Sequence, residues 1–135
     1  MQTNDRTESP AWRRGWIAAA TIIAAALFWL ATSETVYEVT SPPEWSWHVL
    51  FRKAYSIAAF ALLGFTADRA LGPSARPTLR AALLVAAYSG AIEVAQAWRG
   101  SHEGFRWNAF DVLCGAAGGW LGVAVERMRR SRRRV

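Results

Sequence analysis

The sequence predicts an all-α fold: an integral membrane four-helix bundle with short loops and both termini on the cytoplasmic side. Three observations carry this. Apolar residues are gathered into four long runs instead of being mixed through the chain. Lys and Arg fall mainly between alternate runs, and no stretch alternates apolar and polar residues as a strand would. The mean hydropathy of +0.07 is the average of these segregated blocks. A content of 53% hydrophobic and 13% aromatic residues excludes a disordered chain. The one cysteine, Cys114, excludes a disulfide framework or a cysteine-based metal site, and 135 residues suit a single domain.

The elements follow in order. Residues 1–15 form a polar tail with Arg6, Arg13 and Arg14. The run 16–33 holds eighteen residues without a charge, within the length of a membrane-crossing helix. A secretory signal peptide is the alternative for this segment, with Arg13 and Arg14 as its basic start and 31–33 as a cleavage-like site. Against it, the apolar stretch is long, and Trp29 lies awkwardly near the cut. A loop over 34–48 carries Glu34, Glu38, Glu44 and Pro42-Pro43. The second helix is expected over about 50–69. A turn-rich link with Gly72, Pro73 and Pro77 leads to the third, about 79–98, which is broken by Glu93 and Gln96. A second polar loop precedes the fourth helix, about 109–126, so that 16–126 is the membrane domain and 127–135 a basic tail.

Charge sets the orientation. Twelve Lys and Arg lie in the two tails and the middle link, against four, Arg52, Lys53, Arg99 and Arg106, on the other side. This asymmetry places the termini in the cytoplasm. The six arginines of the tail read as an anchor to anionic headgroups, not as a nucleic-acid arm. Trp12 and Trp16 would mark the inner interface, and Trp29, Trp45, Trp47, Trp98 and Trp107 the outer one. Trp120 falls inside the fourth run and is expected to be packed.

The outer side carries the candidate site. Fourteen uncharged residues separate Lys53 from Asp68, and fourteen separate Asp111 from Glu126. Each stretch spans about 21 Å as a helix, short of about 30 Å of hydrocarbon. Charges at those positions therefore lie at or below headgroup level, where an acid costs about 2.5–3.5 kcal/mol unless it faces a partner or a wet cavity. The expectation is an outward-open pocket ringed by Arg52, Lys53, Glu93, Gln96, Asn108 and Asp111, with Arg99, Arg106 and His48 at its rim. Glu93 and Asp111 are its candidate bases. A structural ion-pair network is the alternative. Ala86, Ser89, Gly90, Glu93 and Gln96 share one helical face; Gly64, Gly90, Gly115, Gly118, Gly119 and Gly122 are the expected helix-packing glycines, with small-xxx-small spacings among the last four. His48 and His102 show no ligand spacing, and no metal or other cofactor is expected.

Two segments resemble VanZ-like membrane proteins. One is Arg52-Lys53-Ala-Tyr-Ser56-Ile-Ala-Ala59-Phe60-Ala-Leu-Leu-Gly64. The other is Glu93-x-x-Gln96, then Arg106, then Asp111-Val-Leu-Cys-Gly115-Ala-Ala-Gly118-Gly119-Trp-Leu-Gly122. The resemblance covers a little over half of the chain, from 52 to 125. It departs from the family pattern at Ser56, where a His is frequent, at Ala59-Phe60, where Glu-Tyr is, and at Gly115, where Asn or Asp is. Loss of the His weakens an enzymatic reading. The family is associated with low-level resistance to teicoplanin. The resemblance thus implies a bacterial inner-membrane protein of the cell envelope, with Arg52, Lys53, Glu93, Gln96, Arg106 and Asp111 as the surviving motif residues. The expected ligand is an anionic lipid-linked or cell-wall precursor group. The alternatives are a small enzyme acting on a lipid phosphate and an accessory subunit without a ligand. Membrane lipids are expected partners, and the sequence leaves homo-oligomerisation open.

Overall fold

The computed structural model describes residues 10–33, 35–36, 48–99 and 105–132, without the side chains of 48–52 and 105–108. Four helices account for nearly all of it: α1 Pro10–Thr32, α2 His48–Leu71, α3 Pro77–Trp98 and α4 Phe105–Arg132. Number and order match the sequence expectation, but each helix outruns the apolar segment that announces it. α1 begins at Pro10, so residues 10–15 are helix and not tail. Proline suits a first turn because its missing N–H would have had no intrahelical partner. α4 continues to Arg132 and absorbs most of the expected basic tail. Arginine is a good helix former, and its charge complements the negative end of the helix dipole.

Helices Pro10–Thr32, Pro77–Trp98 and the part of α4 from Ala109 to Arg132 are each long and apolar enough to cross a membrane. Over its described side chains, residues 53–71, α2 is not counted among them.

Contacts fix the helix directions. Arg13 Nε donates to the carbonyl of Ala70 at 3.0 Å, and Trp16 meets Phe65 edge-on at 5.4 Å, so α1 and α2 are antiparallel. Tyr88 donates to the carbonyl of Ala24 and Gln96 to that of Ala31, so α1 and α3 are parallel. Ser89 packs on Gly115 and Ala81 on Gly119, so α3 and α4 are antiparallel. Lys53 pairs with Asp111 and Arg69 with Glu126, so α2 and α4 are parallel. The start of α1, the α2–α3 turn and the end of α4 gather at one end of the bundle, the termini end. The opposite end is the loop end. Gly72, with φ +77°, closes α2 by donating its N–H to the carbonyl of Asp68 at 3.1 Å.

α4 is the keystone. It packs along both α2 and α3, whereas α1 lies mainly on α2. Its glycines are split between the two partners. A Cβ on Gly115 would fall 2.8 Å from that of Ser89, and one on Gly119 would fall 2.6 Å from the carbonyl oxygen of Ala81, both on α3. A Cβ on Gly118 would fall 2.6 Å from that of Phe60, and one on Gly122 would strike the carbonyl oxygen of Ala61, both on α2. Gly64 of α2 also reaches this point, where a Cβ would lie 2.7 Å from the Cα of Gly119. Three backbones therefore converge at Gly119. Gly90, grouped with these glycines by sequence, does not belong with them: its nearest neighbour would be Val112 Cγ2 at 3.9 Å, an ordinary contact. Trp120 also corrects its expectation. With Gly118, Gly119 and Gly122 turned inward, it is left 50% exposed on the outer face.

Candidate functional site

The expected pocket lies at the loop end, and the structure assembles part of it. Lys53 of α2 and Asp111 of α4 form a direct ion pair, with side chains 16% and 21% exposed. Lys53 also lies 5.5 Å from the ring centre of Phe110, a cation–π distance. Ser89 of α3 is buried beside the pair and donates its hydroxyl to the carbonyl of Asp111 at 3.1 Å. Glu93, one turn further along that face, is half-buried and engaged in an interaction of its own. Residues from three helices thus meet at Asp111, Lys53 at its carboxylate and Ser89 at its backbone carbonyl.

Gln96 and Arg99 serve another purpose. Gln96 Nε2 donates to the carbonyl of Ala31 at 2.7 Å and Arg99 to that of Thr32 at 3.0 Å. Those are among the last carbonyls of α1, which have no partners inside the helix. The two side chains therefore fasten the end of α1 to α3. The face shared by Ser89 and Gln96 in the sequence is divided: Ser89 serves α4 and Gln96 serves α1. The side chains of His48, Arg52, Arg106 and Asn108 lie outside the described residues, as does His102.

The termini end holds a second charged layer that sequence reasoning treated only as orientation charge. One oxygen of Glu126 accepts from Arg69 at 2.7 Å and from Arg130 at 2.8 Å. Arg80 donates to Asp68 at 2.5 Å and to the carbonyl of Gly72 at 2.6 Å, which ties the α2–α3 turn. The guanidinium of Arg69 also lies 5.7 Å from the ring centre of Trp16 and 5.5 Å from that of Phe65. A groove of about 720 Å³ opens here, lined among others by Phe65, Asp68, Arg69, Glu126 and Arg130. One signal could have found this layer: the separations Lys53 to Arg69 and Asp111 to Glu126 are nearly equal, as two parallel helices with an ion pair at each end require.

Chemically, the loop-end pair can bind an anion at Lys53 by partner exchange or present the carboxylate of Asp111 to a proton. Among the described residues no three His, Cys, Asp or Glu side chains cluster as metal ligands would. Compared with known proteins, the chain matches no family model, no curated protein and no solved structure.

Proposed function

We propose that this is a multipass protein of the bacterial inner membrane, similar to VanZ-like proteins, whose outward-facing polar site binds an anionic, lipid-linked group of the cell envelope. The observation that carries the reading is the mostly buried Lys53–Asp111 pair, with Ser89 bonded to the backbone of Asp111, at one end of the apolar bundle. Along α2 and α4 it lies about 22–24 Å from the Arg69–Glu126 layer, less than the hydrocarbon thickness of about 30 Å. A pair held at that depth carries a desolvation cost that a solvated surface pair does not. A phosphate or carboxylate group arriving from outside would find Lys53 within reach, with Asp111 as the partner it displaces. The Lys and Arg asymmetry supports cytoplasmic termini. The hydrogen bonds to Ala24, Ala31 and Thr32 support α1 as a retained helix of the bundle.

A specific observation favours a second reading. Arg69–Glu126 joins the same two helices at the other end, so both pairs could be clamps that set the α2–α4 register. Asp111→Asn separates the two readings. Under the binding reading, teicoplanin susceptibility rises to that of cells lacking the protein while the amount of protein in the membrane is unchanged. Under the clamp reading, the amount of protein falls and resistance per molecule is kept. A topology reporter that places the 99–106 loop in the cytoplasm would overturn the orientation.

A further inference from the structure

The groove at the termini end is amphipathic. Phe65, Pro73, Val123 and Met128 line its apolar part, and Arg69, Arg127 and Arg130 line its charged part. Its acids are already neutralised. Asp68 is held by Arg80, and Glu126 is shared between Arg69 and Arg130. Four arginines thus face two carboxylates, and Arg127 makes no ion pair among the described residues. The surplus is positive, and it lies where an apolar surface ends. The Trp12–Trp16 edge-on pair stands at the same end, and Trp16 touches the groove residue Phe65. Indole rings favour that headgroup level because they join an apolar face to one N–H donor.

We infer that this groove is a binding site for the phosphate of an anionic phospholipid headgroup in the leaflet at the termini end, with Arg127 and Arg130 as the phosphate ligands and Phe65 and Val123 against the acyl chain. Guanidinium groups match phosphate geometry through paired N–H donors, and the apolar wall sets a lipid apart from a soluble anion. Glu126 competes with the lipid, because it pairs with both Arg69 and Arg130. The site lies at the opposite end from Lys53 and Asp111 and does not depend on what they bind. It rests only on the membrane-embedded reading of the chain.

The test uses the full chain, purified in detergent and titrated by native mass spectrometry with phosphatidylglycerol, phosphatidylcholine or inorganic phosphate. Phosphatidylglycerol is expected to be retained about tenfold better than phosphatidylcholine, and equimolar inorganic phosphate should not displace it. The double variant Arg127→Gln/Arg130→Gln loses this preference. Arg129→Gln/Arg132→Gln removes the same charge from residues outside the groove and keeps it. Equal losses in the two double variants would reduce the effect to diffuse tail charge and overturn the site. Displacement by inorganic phosphate would make it a soluble-anion site and overturn the lipid assignment. Glu126→Gln gives an independent arm: it should tighten phosphatidylglycerol binding several-fold, and a weakening overturns the inference. Alkaline carbonate extraction of the expressing cells checks embedding separately. Release of the chain defeats the membrane reading, whereas retention without lipid preference defeats the groove alone.

Discussion

α1 and α4 are opposites. α1 is the most apolar of the four described helices, yet none of its residues is buried, and Ile22 and Trp29 are 68% and 63% exposed. α4 is far less apolar overall because of its arginines, yet it is the helix against which α2 and α3 both pack. In water this would be an inverted protein. In a bilayer it is the expected arrangement, because lipid tails are as apolar as leucine and hydrophobicity gives one helix no preference for another. What selects the packed helix is its capacity for close approach, which Gly115, Gly118, Gly119 and Gly122 supply. What fastens the less packed helix is a few polar bonds with its neighbours: Arg13 to Ala70, Tyr88 to Ala24, Gln96 to Ala31 and Arg99 to Thr32.

Substitutions can break this contrast or sharpen it. The largest effect is expected from Gly119→Leu. Backbone atoms of Ala81 and the side chain of Val85 leave no room, so the cost exceeds the usual ~1–3 kcal/mol of overpacking and little folded protein is recovered in thermal-melt assays in detergent. Gly90→Ala, one of the same glycine set by sequence, should be tolerated, and equal damage at both positions would remove the distinction between them. Asp111→Ala comes next, since it leaves Lys53 without its carboxylate partner in a site 16% exposed. A fully buried pair would cost about 3–5 kcal/mol when broken; with this exposure about 1–2 kcal/mol is expected, read from the melting temperature. Gln96→Ala removes one of the bonds to α1 and should cost about 0.5–1.5 kcal/mol, seen as faster protease access to α1 with the rest of the bundle intact. Ile22→Ala should change stability by less than about 0.5 kcal/mol, because the side chain exchanges one apolar environment for another. A large loss there would mean that α1 is covered by another protein surface.

The four helices were legible because hydropathy blocks and charged breaks survive in any sequence of this kind. Their ends were not, since Pro10 and the arginines up to 132 continue a hydrogen-bonded helix without continuing an apolar run. The glycine ladder was legible as a packing face, but the division of Gly115 and Gly119 from Gly118 and Gly122 was not. Two partners on one helix need a crossing geometry that spacing alone does not contain. At the loop end, equal depth predicted that Lys53 and Asp111 would meet. Gln96 shared their depth and went elsewhere, because a long amide is drawn to the nearest unsatisfied carbonyls, and those belong to the end of α1. The termini-end layer was hidden by its own explanation: once arginines are counted as orientation signals, the partners of Asp68 and Glu126 go unasked.

The convergence at Gly119 has a consequence for transport. An ion or solute crossing along the bundle axis would have to pass between α2, α3 and α4. At Gly119 those three backbones leave less space than a methyl group needs. Among the described residues, no aqueous conduit runs between α2, α3 and α4 at that level. A group that enters between these three helices from either end stops at that level.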